Sequence, residues 1–196
     1  MAIRTIHDNA YPMHFITFTC YRWIPFFEIL NAHDLVYSWF KYLERIQVGV
    51  VAYVIMPNHV HAILYFHCKG YNLNKVIANA KRFMAIEIIR RLVFLNQTRI
   101  IRKMSAGVSA VQRKNGQIHR VFEKSFDAKI IYSKWFFEIK FNYIHNNPTK
   151  SNPPLCLAPE DFEHSSASFY ETGEVKHHVP LDYRLVDFSF PEPAAL

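Results

Sequence analysis

Cysteine and glycine are both scarce in this 196-residue chain, which has three cysteines and five glycines. The cysteines form no CxxC pair and are odd in number, so neither a disulfide framework nor a cysteine zinc site is indicated. The low glycine content and the absence of low-complexity runs predict that most of the chain is folded. The length favours one compact domain.

Targeting and membrane signals are also missing. Residues 1–9 lack the apolar run of a signal peptide, and no apolar stretch of the sequence is long enough to cross a bilayer. We therefore expect a cytoplasmic protein with no membrane partner. The sequence contains no GxxxxGK phosphate loop, so chemistry driven by ATP is not indicated.

Positive charge is present in excess but is unevenly distributed. The net charge is +7, from 23 basic and 16 acidic residues. Residues 158–196 hold two basic and eight acidic residues, which gives −6, so residues 1–157 carry 21 − 8 = +13. A body this basic favours a polyanionic partner such as nucleic acid.

Hydrophobic periodicity predicts an α+β protein. Alternating and β-branched runs predict strands, and three- and four-residue apolar spacing predicts helices. The order is β-α-β-β-α-β-α, which favours a ferredoxin-like antiparallel sheet with helices packed on one face and the other face free for a substrate. The predicted strands are 13–20, 48–56, 59–66 and 119–124, and the predicted helices are 31–47 with Asn31 as cap, 73–95 and 132–147. A basic connection over 98–116 is expected to be irregular and mobile.

Two histidines form the sharpest local feature, the MPNHVH motif at residues 56–61. Side chains alternate between the faces of a strand, so His59 and His61 are predicted to share one face, roughly 7 Å apart along the strand. Val60 and Ala62 then point into the core. Two imidazoles on a rigid strand can share a divalent metal, although an HxH alone is more often just a half-exposed sheet face.

A second cluster, YIHNNP at residues 143–148, stands at the end of the last predicted helix. Tyr143 and Asn147 are four residues apart, so they are predicted to lie on one helix face about one turn apart. Asn147 offers a carbonyl oxygen to a hard cation, at a helix end whose partial negative charge favours one. By itself, such a pair is more often a packing residue and a helix cap.

Taken together, the two clusters resemble the HUH single-tyrosine transposases, including the REP-associated tyrosine transposases and their insertion-sequence relatives. The resemblance extends over most of the chain, although residues 149–155 depart from the family pattern. The matching segments are 14–22, 52–64, 81–83, 122–126, 142–148, 159–162 and 165–170.

The resemblance implies a function and a site. It implies that His59, His61 and Asn147 hold a metal, Mg²⁺ or Mn²⁺, and that Tyr143 is the nucleophile. It further implies a transposase that cuts and rejoins single-stranded DNA flanked by a hairpin, through a 5′-phosphotyrosine intermediate. Two nitrogens and one oxygen suit both ions, and Mn²⁺ tolerates imidazole better.

Basic side chains outside these motifs are candidate DNA contacts, because phosphate neutralisation dominates nucleic-acid affinity. Exposed aromatic side chains could stack on unpaired bases. The candidate cations are Lys81, Arg82, Arg99, Arg102, Lys103, Arg113, Lys114 and Arg120. Each could instead be an ordinary solvated surface residue.

Two other functions are left open: a non-cleaving nucleic-acid-binding regulator that kept the fold, and a metal-dependent nuclease in which water attacks. A homodimer is also left open. The chain divides into a transposase or nuclease domain, 1–157, and an acidic, aromatic tail, 158–196. Because aromatic burial outweighs screened surface charge, we expect the tail to pack on the domain as a structural belt, with autoinhibition at the basic face as the alternative.

Overall fold

A computed structural model describes residues 11–188, so the tail residue Phe190, expected to dock on the domain, lies outside the described residues. Four strands form one antiparallel sheet in the order β2-β3-β1-β4. The strands are β1 (Met13–Thr19), β2 (Val48–Met56), β3 (His59–Phe66) and β4 (Asp127–Ile130). The helices are α1 (Phe26–Ile29), α2 (His33–Arg45), α3 (Leu73–Phe94), α4 (Thr98–Ala106), α5 (Ala110–Lys114), α6 (Lys134–His145) and α7 (Ala167–Glu171). The predicted α+β class and antiparallel sheet are confirmed.

The first face of the sheet carries the larger core. Inward-facing residues of the central strands, such as Phe18, Val60 and Leu64, are fully buried against α2 and α3. The apolar residues of α2 and α3 recur at helical spacing, so one stripe of each helix meets the sheet. Helices α2 and α3 therefore support β1 and β3 on the first face of the sheet.

The second face is partly covered, which corrects the expectation that it stays free. Phe137 and Ile144 of α6 pack there on Phe15 and Ile63. Phe162, Leu181, Tyr183 and Phe188 of the tail join the same cluster. Burial of these apolar side chains favours packing of α6 on the sheet. A cleft beside His59 and His61 stays open on this face.

The tail follows the outer edge of β2. The Ile55 and Tyr53 backbone groups bond to His164 and Ser166, and the Leu181 N–H donates to the Val50 carbonyl at 2.8 Å. The tail includes α7 and two 3₁₀ turns, Pro159–Asp161 and Tyr183–Leu185. Covering an edge strand in this way removes its unpaired backbone groups from solvent.

Some predicted boundaries were wrong. Helix α2 begins at His33, because Asn31 adopts φ 46° and turns the chain instead of capping the helix. Residues 98–116 contain α4 and α5 rather than an irregular connection, since Met104 is buried and Ser109 forms a capping box. The segment 119–124 makes one isolated bridge, Cys20 to Phe122, and the fourth strand comes later, at β4.

The observed ends of the other helices lie closer to their predicted positions. Helix α3 begins at Leu73, as predicted, and Asn72 caps it. Helix α6 spans Lys134–His145 rather than the predicted 132–147, so Asn147 lies beyond its end. Within residues 11–188, no helix combines the length and apolarity needed to span a membrane.

Candidate metal and tyrosine site

His59 and His61 lie on the second face of the sheet, on β3. Their ring centroids are 4.6 Å apart, and Val60 and Ala62 between and beyond them are fully buried on the first face. The shared face follows from strand alternation, as the sequence predicted. The strand is central in the sheet, so the two rings stand on a rigid base.

Hydrogen bonds orient both imidazoles. Thr17, the cross-strand neighbour of His61, shares a 2.6 Å hydrogen bond with its Nδ1. The Nδ1–H of His59 donates to Asn58 Oδ1 at 2.6 Å. The Nε2 of His61 is buried with no partner among residues 11–188. In the tautomer whose Nδ1–H donates to Thr17, this Nε2 carries the lone pair that a ligand would take.

Burial keeps both rings neutral at physiological pH. It lowers the pKa of His59 to about 4, and a hydrogen bond with the Asn147 side chain opposes that shift. Burial also lowers the pKa of His61 to about 3, helped by the nearby charges of His59 and Lys140. A neutral imidazole is the form that binds metals.

Helix α6 brings the second cluster to the histidines. The Tyr143 ring meets His61 edge-on with centroids 5.1 Å apart and meets Phe15 at 5.9 Å. Tyr143 remains 47% exposed, so its hydroxyl side can meet a large substrate. Asn147 lies in the turn just after α6, where its N–H donates to the Ile144 carbonyl, and its side chain reaches His59.

These four residues line one open cleft of about 860 Å³. Its walls also contain residues that the sequence analysis did not select: Phe15, Thr17, Trp23, Asp127, Lys140 and Lys150. Lys140 stands one turn before Tyr143, with Nζ 4.8 Å from the Phe15 ring centroid and 5.6 Å from that of Tyr143. The i, i+3 spacing from Tyr143 could have identified Lys140; nothing in the local sequence identifies Trp23 or Asp127.

The donor set fits a hard or borderline divalent cation. No group of three or more His, Cys, Asp or Glu side chains within residues 11–188 could hold a metal. If His59 and His61 shared a metal, a third protein ligand would have to come from another residue type. Asn147 lines the same cleft as both histidines, and its side-chain carbonyl oxygen is the kind of donor that such a cation would take.

The eight basic residues predicted to contact DNA all lie within residues 11–188, and none of them lines this cleft. Three have intramolecular partners: Lys81 donates to the Glu123 carbonyl at 2.5 Å, Arg120 pairs with the Glu123 carboxylate, and Arg113 donates to the Ser105 carbonyl. Arg99 and Lys103 line a neighbouring cleft. Arg82, Arg102 and Lys114 are exposed.

No family model matches the chain. An uncharacterized protein of Haemophilus influenzae is 29% identical over 109 residues, 52% of this chain. The matched region spans about half, 55%, of that relative's length.

Among solved structures, a REP-associated tyrosine transposase bound to a REP hairpin superposes with TM-score 0.60 and 14% identity. The match covers 100% of this chain and 99% of the other. This chain has the fold of a REP-associated tyrosine transposase. A protein from Deinococcus radiodurans superposes with TM-score 0.43 and 13% identity over 74% of this chain.

The transposase fold agrees with the resemblance carried by the MPNHVH and YIHNNP motifs. In this transposase fold the motifs occupy facing elements, β3 and the end of α6.

Proposed function

We propose that this chain is a DNA transposase of the HUH single-tyrosine family, which cuts and rejoins single-stranded DNA next to a hairpin. The main support is one observation: the exposed Tyr143 ring contacts His61, whose Nε2 has no partner among the described residues, inside one open cleft. A nucleophile and a set of metal ligands are thus adjacent, and the opening suits a polymeric substrate.

The metal would be held by His59, His61 and Asn147, and Mg²⁺ or Mn²⁺ would be the working ion. When bound, such a cation neutralises phosphate charge and polarises the phosphorus. Thr17 would orient the His61 ring, and Asn58 the His59 ring, through hydrogen bonds to the Nδ1 atom of each histidine. Zn²⁺ could bind the same ligands without being the working ion.

Tyr143 would carry out the covalent step. Its Oη attacks the phosphorus and loses its proton to solvent, and the bond from phosphorus to the 3′-oxygen breaks. The departing 3′-oxygen takes up a proton and becomes a hydroxyl, while the 5′-phosphate stays on Tyr143. Attack by the 3′-hydroxyl of another strand reverses these steps, so the phosphodiester is rebuilt without ATP.

Lys140 would support this step electrostatically. Its ammonium group lies beside the Tyr143 and Phe15 rings at the cleft wall, one helical turn before the nucleophile. A positive charge at that position attracts the scissile phosphate and offsets negative charge developing on it.

The test is a denaturing gel with hairpin DNA that carries a single-stranded flank, incubated with the protein and Mn²⁺. DNA labelled at its 3′ end should migrate with the protein, whereas DNA labelled at its 5′ end should appear as a shorter free fragment. Cleavage without a protein adduct would indicate a nuclease that uses water. Binding without cleavage would indicate a regulator.

A further inference from the structure

The turn after β1 presents an exposed tryptophan beside the proposed metal ligands. Trp23 is 61% exposed, and its ring meets His59 edge-on with centroids 5.6 Å apart. Trp23 has φ 57° and Arg22 before it has φ 52°. Two consecutive residues with side chains in the left-handed region are sterically disfavoured, so surrounding contacts must hold this turn.

Those contacts reach His59, a proposed metal ligand, through one side chain. Asn58 donates from Nδ2 to the Trp23 carbonyl at 3.4 Å and accepts from the Nδ1–H of His59 through Oδ1 at 2.6 Å. Glu123 Oε1 accepts from the Arg22 N–H at 3.0 Å. The position of Trp23 is therefore coupled to the ring that would bind the metal.

Trp23 also stands where three clefts adjoin. It lines the cleft of His59 and Tyr143, and it lines a second cleft of about 610 Å³ with Arg22, Arg99 and Lys103. A third cleft, of about 390 Å³, places Trp23 beside Asp127. A strand leaving the catalytic cleft toward the three cations would pass over the indole ring.

A single exposed aromatic residue is ordinary on protein surfaces and needs no function. Trp135 of α6 illustrates this, since it is 67% exposed and lines none of these clefts in the described chain. Trp23 differs in its disfavoured backbone, in its link to His59 through Asn58, and in its place between the nucleophile and a basic cleft.

We propose that Trp23 is a stacking platform for an unpaired base next to the phosphodiester that Tyr143 attacks. Arg22, Arg99 and Lys103 bind the backbone phosphates of the same strand beyond that base. Stacking on an aromatic ring accepts every base, so this contact positions the strand rather than reading its sequence. The proposal rests on the proposed function and adds the path of the single strand to it.

The test measures DNA binding separately from cleavage. Fluorescence anisotropy compares a hairpin with a single-stranded flank and the same hairpin without the flank, using full-length protein. Trp23→Ala should weaken binding of the flanked hairpin about tenfold and leave the blunt hairpin nearly unchanged, as expected for one lost stack. Trp23→Phe should retain most of the affinity, and the matched control Trp135→Ala should bind as the wild type does.

A DNA variant keeps the test independent of protein folding. One abasic unit is moved through the flank, position by position, with unmodified protein. At one position it should weaken wild-type binding about tenfold but have little further effect on Trp23→Ala, because the stack is already lost. If no abasic position weakens wild-type binding, or if Trp23→Ala binds the flanked hairpin as tightly as the wild type does, the stacking proposal is wrong.

The two proposals fail in different ways. If the wild type binds the flanked hairpin with this Trp23 dependence but never forms an adduct, stacking of the single strand on Trp23 stands, whereas strand transfer and the placement of the base beside a cleaved phosphodiester fail. If adduct forms normally with Trp23→Ala and binding is unchanged, strand transfer stands and the platform fails. If neither hairpin binds to the wild type, both proposals are overturned.

Discussion

The Tyr143 ring lies edge-on against the imidazole of His61, with centroids 5.1 Å apart, across the gap between α6 and β3. His61 is buried, and Tyr143 is half exposed. The contact therefore lies between the buried floor of the cleft and its solvent-exposed opening. A metal on the floor and a phosphate in the opening would both be adjacent to the phenol.

The first prediction concerns the nucleophile. Tyr143→Phe should abolish the covalent adduct on a denaturing gel, because only the hydroxyl is removed, while the ring contacts with His61 and Phe15 remain. Thermal melting and hairpin binding should stay close to wild type. The control Tyr132→Phe, which changes an exposed tyrosine outside the cleft, should cleave normally. An adduct formed by Tyr143→Phe would mean that another nucleophile is at work.

The second prediction concerns the metal. His59→Ala and His61→Ala should each remove cleavage and sharply lower Mn²⁺ affinity in isothermal titration, because three protein ligands cannot spare one. Thr17→Val should weaken Mn²⁺ binding about 10- to 100-fold, since it removes the hydrogen bond that orients His61. The exposed His67→Ala is the matched control. Cleavage that continues in excess EDTA would rule out a metal-dependent reaction.

The third prediction concerns salt. Binding of a single-stranded flank should weaken with ionic strength, with a log–log slope of about −0.7 for each phosphate contact. Arg99→Gln and Lys103→Gln should each make the slope shallower by about one such step, because both line the cleft beside Trp23. Lys41→Gln on α2 is the control and should leave the slope unchanged. A flat response in the wild type would show that the basic body is not the DNA surface.

The fourth prediction concerns the tail, which we propose is a structural belt over the β2 edge. Truncation after Leu157 should yield little soluble folded protein, because it exposes that edge and the apolar face around Phe137. Ser166→Ala should lower the free energy of unfolding by about 1–3 kcal/mol, since its buried hydroxyl accepts from the Tyr53 N–H and bonds to His145.

Two outcomes of the tail experiment would contradict the belt. A folded truncation with faster, less selective cleavage would support autoinhibition. A folded truncation with unchanged stability and activity would exclude both roles. Thr172→Ala is the matched control for Ser166→Ala and should cost much less, because Thr172 is exposed just after α7 and its hydroxyl donates only to the nearby Ser168 carbonyl.

The fifth prediction concerns pH and His33, which stacks on His164 of the tail with ring centroids 3.5 Å apart. Burial, followed by the charge of His164, lowers the pKa of His33 to about 4. The unfolded chain binds a proton near pH 6.5 and the folded chain only near pH 4. The neutral His33 ring therefore makes its full contribution to the free energy of unfolding above pH 6.5, and this contribution is lost as the pH falls toward 4.

Urea unfolding between pH 4 and pH 8 measures this dependence. In His33→Phe, which keeps an aromatic ring without a titrating group, the free energy of unfolding should fall less steeply on acidification than in the wild type. His67→Phe, an exposed position, should follow the wild type. Identical pH profiles for His33→Phe and the wild type would show that His33 does not contribute to the pH dependence of stability.

Local pattern was sufficient for the central elements. Strands β2 and β3 begin and end where alternation and β-branched runs predicted, and that alternation placed His59 and His61 on one face. Local pattern failed at 98–116, where charge density suggested an irregular segment. The apolar residues Met104 and Val108 are instead buried and hold short helices in place.

The sequence by itself determined the first three strands and the long helices, because each depends on spacings within one segment. The candidate ligands and nucleophile came from the resemblance that the two short motifs carry. Only the tertiary structure decided which side chains surround them. Lys140, Asp127 and Trp23 reach the His61 cleft from three separate elements, and the tail reaches the β2 edge from the far end of the chain. Such placements depend on how faces and edges are paired between distant segments, and no local periodicity records that pairing.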